Sequence, residues 1–192
     1  MHDNDQPIFQ DVGHALHVSY LVHAQPATRP SPTGALIDQL VKQNHVWDGI
    51  PAPRASRVNF RGLDPLEVRG QCAQVVGMCD RLLHPAELAA VRAIYGWQLE
   101  KSKGVRGIVE YCLPMLSPLS EDCCLYLAWH VYGTKDQRKG ISIGAVADKF
   151  GRSIQALTYA ASLLRKNGQI YHKRACDSLW PRFAEGGLVP GG

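Results

Sequence analysis

The stretch Ile143–Lys166, IGAVADKFGRSIQALTYAASLLRK, decides how this chain is read. Ile143, Val146, Ala147 and Phe150 recur at the spacing of one helix face, which predicts a short helix over Ile143–Phe150. Gly151 follows, and a residue without Cβ adopts positive φ cheaply, as a sharp turn between helices needs. Ser153 is placed to cap a second helix, whose apolar stripe is expected to be Ile154, Leu157, Ala161 and Leu164. Ala147 is small where two crossing helices approach closest. The pattern is that of a helix-turn-helix, in which the second helix enters the major groove of DNA. Short helix pairs hinged on glycine also occur in ordinary helical cores. Arg152 stands directly after the turn glycine, where such motifs often carry an apolar residue, and a basic side chain there can reach a phosphate instead.

Charge bookkeeping favours the binding reading. Residues 1–132 carry 11 Lys/Arg against 13 Asp/Glu, whereas residues 133–192 carry 10 against 4, a local excess of +6 in a chain of net +4. Clustered positive charge displaces counterions from a nucleic-acid backbone and so drives affinity that is independent of sequence. A solvated basic face is the plain alternative.

The 192 residues suffice for one domain or two small ones, and 45% apolar with 20% charged residues fits a globular protein. No apolar run reaches the roughly 18 to 20 residues of a membrane span. The segment MHDNDQPIFQD lacks the charged-then-apolar order of a secretory leader, so a cytoplasmic location is expected. Six cysteines without a leader argue against a disulfide framework, and no zinc spacing such as CxxC is present. Cys72 and Cys79 lie on the apolar side of a predicted helix and read as buried thiols. Two weaker metal arrangements are conceivable: Cys123 and Cys124 with His130, and the i, i+3 pair His14 and His17, which reads more simply as surface histidines. No metal or cofactor is expected.

Elsewhere the chain reads as helical. A first helix is expected from Ile8 to His23, then the proline-rich break AQPATRPSPTG, then a helix over Leu36–Val46. Arg54, Arg57 and Arg61 sit in a connector rich in Pro and Arg that reads as a contacting arm or an ordinary linker. Asp64-Pro65-Leu66-Glu67 has the form of a capping box, with Val68, Cys72, Val75, Val76, Cys79, Leu82 and Leu83 at helical period behind it. His84-Pro85-Ala86-Glu87 opens another helix that ends at Gly96. Further helices are expected over Lys103–Leu113 and from Ser117-Pro118 to Gly133, with a short strand at Gln169–His172. The fold class expected is all-α, a helical bundle with a C-terminal helix-turn-helix. Its divisions would be 1–62 (N-terminal helices and connector), 63–132 (central core) and 133–192 (basic DNA-binding region and tail). The terminal GGLVPGG reads as a flexible tail or an appended remnant.

No phosphate-cradling loop, nucleophile elbow or HExxH signature appears, so an enzyme is not expected. On the binding reading, Arg152 and Ser153 meet phosphate or the first base edges. Gln155, Ala156, Thr158, Tyr159 and Ser162 lie off the apolar stripe and face the groove. Gln155 has the donor–acceptor pair that reads adenine, and Tyr159 can pack on a thymine methyl. Lys135, Arg138 and Lys139 before the motif, and Arg165, Lys166, Lys173 and Arg174 after it, are expected on the DNA backbone.

The run LYLAWHVYG followed by ISIGAVADKFGRSIQALTYAASLLRKNG resembles the C-terminal promoter-recognition region of sigma factors and the related region of phage late-gene antiterminators, the Q proteins. With LHPAELAAVRAIYGW, the resemblance covers roughly residues 63–175. Arg152 departs from it, as does the absence of the zinc-binding cysteine pattern of some antiterminators. The resemblance implies a phage or prophage regulator with three partners, double-stranded DNA, bacterial RNA polymerase and sigma factor, acting so that terminators are read through. The rivals are a small-terminase-like DNA-packaging subunit, which assembles into rings, and a helical protein-interaction domain without DNA binding.

Overall fold

The computed structural model describes residues 7–25, 58, 60, 63 and 65–191. The expected helix over Leu36–Val46, the residues Arg54, Arg57 and Arg61, and the Asp64 cap lie outside them. Among the described residues the regular structure is wholly helical, as the all-α reading requires, with no strand. Seven α-helices occur there: α1 (Val12–Ala24), α2 (Pro65–Leu82), α3 (Pro85–Tyr95), α4 (Gln98–Cys112), α5 (Glu121–Tyr132), α6 (Ile143–Phe150) and α7 (Ile154–Glu185). A 3-10 turn, Leu113–Met115, follows α4. No helix among the described residues is long and apolar enough to cross a membrane.

Contacts divide the chain into two compact units: one from residues 1–83 with 176–192, the other from 84–175. In the first, α1 packs on α2. Asp11 accepts the His14 N–H at 2.7 Å and thereby fixes the start of α1 at Val12, four residues after the expected Ile8. Val12, Leu16, Tyr20, Val68, Cys72, Val75, Cys79, Leu179 and Phe183 are buried in this unit. His14 is buried too, at 3% exposure, which corrects its reading as a surface histidine; its Nδ1 accepts the Gln10 N–H. Burial pushes the Cys72 and Cys79 thiols up to about 11 and about 12, as expected of thiols in an apolar setting. The terminal GGLV is not a loose tail. Gly187 turns the chain at φ 65°, the Leu188 N–H returns to the Phe183 carbonyl at 2.8 Å, and the Leu188 carbonyl accepts the Phe9 N–H at 2.8 Å. Leu188 and Val189 are buried.

In the second unit α3 begins as its sequence says. Pro85 is its first residue, the His84 ring accepts the Ala86 N–H, and Glu87 accepts the His84 N–H at 3.1 Å. α4 packs against α3 so closely that a Cβ on Gly104 would meet the Ala93 nitrogen at 2.2 Å, and one on Gly107 the Ala89 Cβ at 2.8 Å. α4 starts at Gln98, not Lys103, because the Trp97 carbonyl accepts from Glu100 and closes the first turn. α5, by contrast, starts after the expected point: the Ser120 hydroxyl accepts the Cys123 N–H, so Ser120, not Ser117-Pro118, opens it. The predicted strand at Gln169–His172 is helical, part of α7. The buried positions Leu157, Ala161, Leu164, Gly168, Ala175, Leu179 and Phe183 keep one helical phase through it, and that periodic burial overrides the local β preference of Ile170 and Tyr171.

One buried charge organises this unit. Lys101 is 3% exposed, and its Nζ donates to the carbonyls of Ala93 (2.6 Å), Ile94 (3.4 Å) and Tyr132 (3.1 Å). Those carbonyls belong to the last turns of α3 and α5, where helices leave acceptors without intrahelical donors. Burial pushes the Lys101 ammonium down to about 7. Tyr132 in turn reaches α7: its hydroxyl donates to the Leu164 carbonyl at 2.7 Å and lies directly over Gly168. Lys101, Tyr132 and Gly168 thus fix the ends of α3 and α5 and the seat of α7.

Candidate nucleic-acid interface

The first helix of the quoted stretch, Ile143–Phe150, and the start of the second at Ile154 fall where expected, but the second runs on to Glu185. The Ser142 hydroxyl accepts the Ala145 N–H at 3.0 Å and starts α6. Gly151 ends it at φ 60°, ψ 41°, the left-handed region, and the Arg152 N–H returns to the Ala147 carbonyl at 3.1 Å. Ser153 then caps α7 by accepting the Ala156 N–H at 3.3 Å. Val146 and Ala147 are buried while Ile143 and Phe150 are half-buried, so α6 offers the apolar face read from its spacing. Phe150 meets the Tyr126 ring of α5 edge-on, with centroids 5.5 Å apart. Lys149 covers the same ring at 3.9 Å from its centroid and donates to the Tyr126 hydroxyl.

The stripe expected on α7 needs one correction. Leu157, Ala161 and Leu164 are buried, but Ile154 is 57% exposed, and Ala160 takes its place in the core. At about 100° per residue, the buried line through Leu157, Ala160, Ala161, Leu164 and Gly168 leaves Ile154 at its margin.

The opposite face is outward. Gln155, Ser162, Lys166 and Lys173 run along its centre and are all exposed. Thr158 and Arg165 lie along one edge, with Ile154; Tyr159 lies along the other, with Ile170. Ala156 and Arg174 are exposed further round the helix, behind the Tyr159 edge. Tyr159 is 66% exposed. The hydroxyls of Thr158 and Ser162 donate to helix carbonyls, at 2.8 Å to Ile154 and 2.7 Å to Tyr159, which leaves their oxygens free to accept. Between Ile154 and Cys176 this helix carries Arg165, Lys166, Lys173 and Arg174 and no Asp or Glu.

Arg152 is exposed at the turn, and one of its terminal nitrogens donates to the Pro118 carbonyl at 3.3 Å. A guanidinium carries five N–H donors, so this bond orients the side chain and leaves others for an oxyanion. The basic loop before α6 is ordered by its own hydrogen bonds. Gln137 accepts the Thr134 N–H at 2.9 Å, Thr134 accepts the Gln137 N–H at 3.3 Å, and Gly140 turns at φ 80°. Lys135 and Lys139 are exposed there, and Arg138 is half-buried. Lys139 pairs with Asp136 at 2.8 Å, a solvated contact that raises its pKa by hydrogen bonding and charge.

Among the described residues no three His, Cys, Asp or Glu side chains gather as a metal site would require. The His130 ring bonds the Ile141 carbonyl at 2.9 Å, and Cys123 and Cys124 are buried. Sequence reasoning missed Ile154 and Ile170 as surface residues of α7. No family model and no curated protein matches this chain.

Proposed function

We propose that this protein is a DNA-binding regulator of transcription, of phage or prophage origin, in which α6 and α7 act as a helix-turn-helix. In this reading the N-terminal turns of α7 lie in the major groove of double-stranded DNA. The observation that carries it is the outward face of α7: Gln155, Thr158, Tyr159, Ser162, Arg165 and Lys166 are all exposed, on a helix without acidic residues before Asp177. Arg152 and Ser153 meet phosphate at the head of the helix. Arg138, Lys139, Lys173 and Arg174 add contacts to the backbone. The resemblance to sigma factors and Q-type antiterminators supports a narrower role, antitermination on host RNA polymerase in the bacterial cytoplasm.

The test is duplex binding by the whole chain and two variants. Arg152→Ala is expected to weaken binding to every duplex and lower the salt slope by about 1, whereas Gln155→Ala relaxes sequence preference. Unchanged affinity in both variants would remove α6 and α7 from the interface. Transcription by host polymerase through a terminator, with and without the protein, tests the narrower role.

A further inference from the structure

Two large apolar side chains stand exposed in the first two turns of α7. Ile154 is 57% exposed and Tyr159 66% exposed, although the same helix buries Leu157, Ala160, Ala161 and Leu164 against its own unit. At about 100° and 1.5 Å per residue they flank Gln155, one on each side, and lie about 7.5 Å apart along the axis. That separation spans about two base-pair steps of 3.4 Å.

The surroundings restrict what can cover them. Arg165 and Lys166 are exposed one to two turns further on, the helix carries no acid before Asp177, and Arg152 stands at its head. An occupant must therefore be anionic at its rims and apolar at two points near its centre. The major groove offers one apolar group on its base edges, the thymine 5-methyl, between two rows of phosphates. Gln155 lies between the two apolar residues, and its amide matches the N6 and N7 edge of adenine, the partner of thymine.

We propose that α7 selects A·T-containing DNA through the thymine 5-methyl groups, with Ile154 and Tyr159 as the residues that touch them and Gln155 reading an adenine between. This inference rests on α7 being a groove-facing helix. It adds a specificity determinant, Ile154, that polar readout alone would not include.

The experiment selects duplexes from a random-sequence pool with the whole chain, then compares the best-bound duplex made with thymine or with uracil, which differ only by the methyl group. Burying one methyl corresponds to about fourfold in affinity. Uracil is therefore expected to weaken binding about fourfold per contacted base, and about 15-fold when both contacts are lost. Ile154→Ala and Tyr159→Ala are expected to lose affinity for the thymine duplex and to bind the uracil duplex almost as the parent does. Both residues are exposed, so thermal unfolding of the variants should match the parent. Salt-sensitive binding that is indifferent to uracil, or a uracil effect that persists unchanged in Ile154→Ala, overturns this inference and leaves the groove reading standing. Failure to select any duplex overturns both, and points to a protein surface or a second copy on this face.

Discussion

Gly168→Ala is the substitution with the most sharply defined consequence. A Cβ at this position would lie 1.8 Å from the Tyr132 hydroxyl oxygen, 2.9 Å from its Cζ and 3.3 Å from its Cε1. The phenol cannot swing into solvent, because Tyr132 is 2% exposed and its hydroxyl is held by the Leu164 carbonyl at 2.7 Å. Relief requires the ring or α7 to move by about 1 Å or more, and overpacking of that kind costs about 1 to 3 kcal/mol. Losing the hydrogen bond adds about 1 kcal/mol. The better helix propensity of alanine returns about 1 kcal/mol. The net expectation is a loss of about 2 kcal/mol in denaturant unfolding followed by far-UV circular dichroism. Tyr132→Phe alone should cost about 1 kcal/mol, since it removes the hydroxyl and leaves the ring. In that background Gly168→Ala should cost little, because the 1.8 Å clash is gone and the better helix propensity of alanine offsets the 2.9 Å contact with Cζ that remains. The coupling between the two changes is therefore about 2 kcal/mol. A Gly168→Ala variant that is neutral or stabilising in both backgrounds would refute the seating of α7 on Tyr132.

Further outcomes follow from the same geometry. Lys101 titrates at about 7 in the folded protein against 10.5 in the unfolded chain, so between those values the unfolded chain holds the extra proton. Stability should accordingly rise with pH across that window, by up to about 1.4 kcal/mol per unit, and the rise should vanish in Lys101→Met. A pH-independent difference between parent and variant would instead mean that the three carbonyls keep the ammonium charged. Leu188→Asp places a carboxylate in a buried site and should destabilise the unit of α1 and α2 by about 3 kcal/mol, read by hydrogen exchange in α1; unaltered exchange would return the C-terminus to the status of a tail.

What the sequence disclosed is what depends on neighbours in the chain. The box at His84-Pro85-Glu87, the cap at Ser153 and the left-handed Gly151 each act over three or four residues, and each was readable. Ile154 was misassigned because a stripe of apolar residues does not say where a helix's buried arc ends, and Ile154, the first residue of α7, lies at its margin. Lys101 carried no local signal, since one of its acceptors lies 31 residues away and a lysine amid QLEKSK reads as solvated surface. Leu188 and Val189 were undervalued for the same reason, as the Leu188 carbonyl meets Phe9 from the other end of the sequence. The outward side chains of α7 were named from the sequence with fair success because exposure on a helix follows phase. What those side chains touch is a property of the partner.

Duplex affinity as a function of salt concentration tests the proposed function most directly. If about half of Arg138, Lys139, Arg152, Arg165, Lys166, Lys173 and Arg174 meet phosphates, the logarithm of the binding constant should fall against the logarithm of salt with a slope of about −3 to −4. Removal of Arg152 should reduce that slope by about 1. Absence of duplex binding at low salt, or binding with a slope near zero that Arg152→Ala leaves unchanged, would contradict DNA as the partner of this helix.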